Sequence, residues 1–176
     1  MEIKERIKIT ENLFSGKESI VLSALALIKE KGDAELLNSV ISLFQTSDND
    51  LIKAEITDIL CTLKSVSAVP VLAAALENPK NIKIRKDLLT GCWMSGLTFE
   101  NSLSVFVDIF LNADFLTAFE AFTVIENCVS LENQKETNDE IRKLKNAVLT
   151  INPDKKQLYE DLIILIENGN IVENQD

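Results

Sequence analysis

A chain of 176 residues, 46% hydrophobic and 26% charged, is long enough for one domain-sized core and too apolar for wholesale disorder. Its 28 acids against 18 bases leave a formal charge of −10, which weighs against nucleic acid as a partner because duplex affinity rests on Lys and Arg neutralising phosphates. Five Gly and three Pro are too few to punctuate the many turns of a strand-rich protein, so the expected class is all-α.

In chain order, apolar residues at three- and four-residue steps predict ten helices, over 2–13, 17–31, 34–46, 49–64, 68–77, 81–95, 99–112, 114–130, 135–150 and 153–168. Ser15 with Glu18 reads as a capping box ahead of the second helix, and Gly32 then Asp33 as a helix stop followed by a new N-cap. Asn152, Pro153 and Asp154 read as N-cap, N1 and N2 of the last helix, which Gly169 closes. The expected organisation is a single domain over 1–169 followed by a frayed polar tail over 170–176.

The helices repeat. Leu37, Val40, Ile41, Leu43 and Phe44, moved on by 32 residues, land on Val69, Leu72, Ala73, Ala75 and Leu76, and 34 further on Leu103, Phe106, Val107, Ile109 and Phe110. The partner helices follow suit: Ile52, Ile56, Ile59, Leu60 and Leu63 are answered by Ile84, Leu88, Gly91, Cys92 and Ser95, then by Thr117, Ala121, Val124, Ile125 and Cys128. Backwards by 32 the same stripe gives Ile20, Ala24, Leu27 and Ile28 before it runs out at Lys31. A fixed period of this size marks stacked helix pairs, here about five of them.

Within that frame, the unit around Pro70 resembles a HEAT repeat. It has a Pro early in its first helix, leucines after it, a polar turn, and Ile84-Arg85 opening the second helix; Ile52-Lys53 holds the same place one unit earlier. The turn position that carries an Asp in HEAT repeats is Asn78 here, and the Arg position reads Val21, Lys53, Arg85 and Ala118 across four units, so the ladder between repeats is weakened. Armadillo-type repeats are the alternative. The resemblance implies an α-α superhelix (solenoid) whose second helices line a concave binding side, with the charged first helix and acidic last helix as end caps.

No chemistry is legible. The chain has no His, and hence neither the commonest general base nor the commonest metal ligand. The glycines are scattered and form no phosphate loop, and Cys61, Cys92 and Cys128 stand far apart in apolar patterns, as buried thiols in a reducing compartment do. Asp48 with Asp50, and Glu160 with Asp161, read as capping and solvated carboxylates. No catalytic residue, cofactor or metal is therefore expected. The apolar runs 20–28 and 162–166 fall short of the roughly 18–20 residues that span a bilayer. The N-terminus alternates charged and apolar residues unlike a secretory signal, so a cytoplasmic location without membrane contact is expected.

Candidate binding residues come from two features. The segment Lys80–Lys86 concentrates Lys83, Arg85 and Lys86 on the helix that carries Trp93, and Phe115, Phe119 and Phe122 share one helical stripe. The repeat register places Phe122 in the core and leaves Phe115 and Phe119 over. These residues, with the excess of acids, point to an adaptor that binds a basic protein partner. An acidic inhibitor of the immunity type that blocks a basic active surface is the second reading. A HEAT-like DNA glycosylase, with Trp93 in a basic groove, is a distant third because the net charge opposes it.

Overall fold

Helices form wherever the three- and four-residue recurrence runs, because that spacing gives each segment one continuous apolar stripe to cover. The computed structural model describes residues 2–31, 34–99, 102–128 and 134–172, and among these every regular element is helical. The α-helices are α1 (Ile3–Leu13), α2 (Glu18–Lys31), α3 (Leu37–Thr46), α4 (Asp50–Cys61), α5 (Val69–Glu77), α6 (Arg85–Ser95), α7 (Leu103–Asn112), α8 (Phe115–Cys128), α9 (Gln134–Ala147) and α10 (Lys156–Val172).

The helix ends differ from the sequence expectation in ways with local causes. Tighter 3-10 turns precede α5, α6 and α10 (Val66–Ala68, Pro79–Ile84 and Pro153–Lys155), and Ala34–Leu36 does the same before α3. At Pro79 and Pro153 the missing N–H and fixed φ suit a first turn, and Asn78 and Asn152 accept from Lys80 N and Asp154 N at 3.0 Å. Asn81, expected at a helix start, is buried within its 3-10 turn and donates to Ala75 O at 2.9 Å. Ser15 and Glu18 form no reciprocal box: Ser15 Oγ accepts from Lys17 N at 3.4 Å, and the Glu18 carboxylate accepts from Asn49 Nδ2 at 2.5 Å. α4 stops at Cys61 instead of residue 64, and α7 starts at Leu103 instead of 99. Gly96, left-handed at φ 68°, ends α6, whereas Gly169 lies inside α10, which runs on to Val172. The expected stop at Gly32 and cap at Asp33 lie outside the described residues, as do 173–176 of the expected tail.

The helices assemble as two compact units, Met1–Leu97 and Thr98–Asp176. In the first, α1 packs on α2, α3 on α4 and α5 on α6; α1, α3 and α5 are neighbours in one layer, and α2, α4 and α6 in the other. The second unit repeats the plan, with α7 on α8 and α9 on α10, α7 beside α9 and α8 beside α10. The repeating stripe is what these layers bury. Of the fifteen apolar positions matched on α3, α5 and α7, only Val69 and Ala73 are half-buried, and the rest are buried. Of the matched second-helix positions only Leu63, just past the end of α4, is half-buried. On α2 the stripe is already lapsing: Ala24 and Ile28 are buried, but Leu27 and Lys31 are exposed.

Small residues in the second-helix stripe have a steric reason. A Cβ on Gly91 of α6 would stand 2.8 Å from the Cβ of Leu60 on α4, so the two backbones approach as closely as glycine permits. Gly91→Ala gains up to about 1 kcal/mol of helix propensity, yet α4 must move and overpacking costs roughly 1–3 kcal/mol. The expected result is a lower urea midpoint for Gly91→Ala. A raised midpoint would mean that α4 and α6 stand further apart than described.

Side chains link successive helix pairs. Lys29 of α2 pairs with Asp58 of α4, and that hydrogen bond holds the ammonium above the usual lysine pKa against the opposing effect of desolvation. Lys64 Nζ donates to Ser95 O, the last carbonyl of α6, at 2.9 Å, and Gln45 Nε2 donates to Lys80 O at 2.6 Å. Arg85 is half-buried and its Nε has no hydrogen-bond acceptor, while Asn78 instead caps the 3-10 turn through Lys80 N. Nor is α1 a clean polar cap, since Ile3, Ile7 and Phe14 are exposed on it or directly after it.

Candidate functional site

The residues singled out from the sequence fall on both units. In the first, Lys83 and Lys86 are exposed, and Arg85 and Trp93 are half-buried. In the second, Phe115 is 44% and Phe119 50% exposed, one helical turn apart on α8, and the intervening Leu116 is 61% exposed. Phe122, expected in the core, is half-buried; Thr117, Ala118, Ala121, Val124, Ile125 and Cys128 form the covered face. The covered face carries no ring, and the rings of Phe115 and Phe119 lie outside it.

The first turn of α8 is held from two directions. Asp114 caps it: Oδ1 accepts from Thr117 N at 3.1 Å and Oδ2 from Thr117 Oγ1 at 2.9 Å. From the other side comes Lys155, which is buried despite its charge and donates from Nζ to Phe110 O, Leu111 O and Ala113 O, each at 2.9 Å. These carbonyls end α7, where the last turn lacks intrahelical donors and the dipole is negative, so one ammonium with three N–H groups matches both needs. The same Nζ lies 5.7 Å from the centroid of Phe110. Burial lowers the Lys155 pKa, and the Asp114 carboxylate partly offsets it. In the same unit, buried Phe99 and Phe106 meet edge to face at 5.5 Å. Phe115 therefore projects from a fixed corner.

Thr117 lowers the Asp114 pKa through its backbone and side-chain hydrogen bonds, against the upward pull of desolvation. Folding thus favours the carboxylate. Its contribution to stability is present above the ordinary value of 3.8 and lost as pH falls through the lower folded-state value. We expect Asp114→Asn, which can still cap, to flatten the acid limb of the stability curve below about pH 4, and Asp114→Ala to cost about 1 kcal/mol at neutral pH. Urea unfolding at several pH values checks both; an unchanged acid limb in the Asn variant would remove Asp114 from it.

The stretch of sequence that runs through α7 and α8 carries acids alone. Between Lys86 and Lys135 the sequence holds Asp87, Glu100, Asp108, Asp114, Glu120, Glu126 and Glu132 and neither Lys nor Arg. The overall charge of −10 hides this segregation, which a windowed count reveals. One acid is neutralised from α9: Lys143 lies 2.8 Å from Asp108 and 3.0 Å from buried Glu140. Burial would depress that ammonium, but its hydrogen bonds to both carboxylates and their charges outweigh it and raise its pKa.

Elsewhere, a cavity of about 440 Å³ in the first unit is walled by Ile28, Leu37, Ile59 and Leu63. Its rim cations are engaged, Lys29 with Asp58 and Lys64 with Ser95 O. Cys92 and Cys128 are buried, and burial, aided by Asp58, pushes the half-buried Cys61 thiol up, away from the reactive thiolate. Among the described residues no group of His, Cys, Asp or Glu is arranged to hold a metal, and no single helix is long and apolar enough to cross a membrane. The chain matches no protein-family model, and no curated protein matches it.

Proposed function

We propose that this chain is a non-catalytic protein-interaction module built from HEAT-like repeats, and that it docks a basic protein partner on the outer face of α8. The observation that carries the reading is the exposure of Phe115, Leu116 and Phe119 together on a helix whose own core is filled by smaller residues. Exposed aromatics in a cluster are typical interface anchors, and surrounding charge of one sign selects and accelerates the partner of the other. The HEAT-like assignment is supported by the paired layers in each unit, by Pro70 in the first turn of α5 and by Ile84-Arg85 at the start of α6. Trp93, Lys83, Arg85 and Lys86 remain candidates for a second contact on the first unit.

A photo-crosslinking residue at position 119, compared with one at position 149, tests this directly. Leu149 is 93% exposed, so nonspecific stickiness would favour it over Phe119. The expected result is a discrete adduct with a basic protein from position 119 and none from 149, weakening as salt shortens the Debye length below about 8 Å. Equal labelling from both positions would refute the docking face. The segregated acids also favour a second reading, an acidic inhibitor that covers a basic active surface; it predicts that the captured protein loses an activity when bound.

A further inference from the structure

We infer that the segment received by α8 is a cationic amphipathic helix, a conclusion that rests on the docking face proposed above. The first argument is hydrogen bonding. A helix flank offers a partner neither free N–H nor free C=O groups, and the described residues contain no strand edge on which an extended peptide could pair. A segment that buries its backbone against such a flank must satisfy its own hydrogen bonds, and a helix does so.

The second argument is shape. Phe115 and Phe119 stand about 6 Å apart along the axis, from a rise of ~1.5 Å per residue, with half-buried Phe122 about one turn further. That row matches apolar positions i, i+4 and i+7 of an opposing helix. Leu116 broadens the row at its start. The third argument is sign. Asp108 of α7 is already met by Lys143, but α8 itself carries no cation, and Glu126 is exposed on its last turns, on the same helical stripe as Phe115 and Phe119. Lys or Arg flanking the partner's apolar row would meet opposite charge, whereas Glu or Asp would meet like charge.

The test uses the full chain and three labelled 18-residue probes read by fluorescence anisotropy. One is an amphipathic Leu/Lys helix, one has the same Leu row with Glu replacing Lys, and one is a scrambled Leu/Lys sequence without a row. The expected result is that the first binds best, each of the others at least roughly tenfold more weakly, and that Phe115→Ser with Phe119→Ser weakens the first by a similar factor while circular dichroism is unchanged. Glu126→Lys, which leaves the rings intact, should narrow the gap between the Lys and Glu probes.

Equal binding of the Glu probe would overturn the sign, and equal binding of the scrambled probe would reduce the interaction to bulk charge. The chain's own cationic segment, with Ile82 62% exposed among Lys80, Lys83 and Lys86, is the rival occupant. Self-association in sedimentation equilibrium that Lys83→Glu with Lys86→Glu abolishes would overturn the inference in favour of a second copy. If position 119 captures a basic protein but the Leu/Lys probe does not bind, the helical partner fails and the docking face stands; if neither occurs, both fail.

Discussion

Leu60→Ala or Leu72→Ala is expected to lower the unfolding free energy by roughly 2–5 kcal/mol. Both side chains are fully buried, Leu60 on α4 and Leu72 on α5. Truncation removes contacts that close-packed neighbours cannot replace without moving, and α6 is already pressed to glycine distance against Leu60 at Gly91. The loss should appear as a reduced urea midpoint with an unchanged slope. Leu149→Ala, at a residue 93% exposed, should stay within about 0.5 kcal/mol of the wild type. An unchanged midpoint for either core variant would mean that the helical register is wrong.

Lys155→Met is expected to cost roughly 2–4 kcal/mol, since it keeps the volume but withdraws three hydrogen bonds from buried or half-buried carbonyls. For a chain of this size that is roughly 5–15 °C in the unfolding temperature. Lys155→Arg should recover little of it, because a planar guanidinium cannot direct three N–H groups from one atom. The loss should extend beyond stability. Lys155 fixes the corner from which Phe115 projects, so hydrogen exchange at the α7–α8 turn should rise in the Met variant well below global unfolding. If Arg proved as stable as Lys, the ammonium would not be acting as this cap.

The core stripe was legible because a helix buries one face and the apolar spacing repeats from unit to unit; Leu60, Leu72, Leu88 and Phe106 are all fully buried as the register requires. The same register left Phe115 and Phe119 without a core position, and both are exposed. What it misplaced is Phe122, whose ring is half-buried while Thr117, Ala118, Ala121, Val124, Ile125 and Cys128 form the covered face of α8. Lys155 could not have been found this way. A lysine after Asn-Pro-Asp reads as solvated, and its role depends on carbonyls 42–45 residues upstream that only tertiary packing brings near. Helix starts were misjudged where Pro and Asn favour a 3-10 turn, and Gly169 is carried inside a helix because isolated glycine is a cost, not a stop.

The most direct measurement of the docking claim is the affinity of the protein captured at position 119 for wild type and for the Phe115→Ser, Phe119→Ser double variant, with thermal unfolding followed in parallel. Two exposed aromatic anchors predict at least roughly a tenfold loss of affinity, carried mainly by faster dissociation, with the unfolding temperature unchanged. Undiminished affinity in a folded double variant, or a double variant that unfolds, would contradict a binding role for this face.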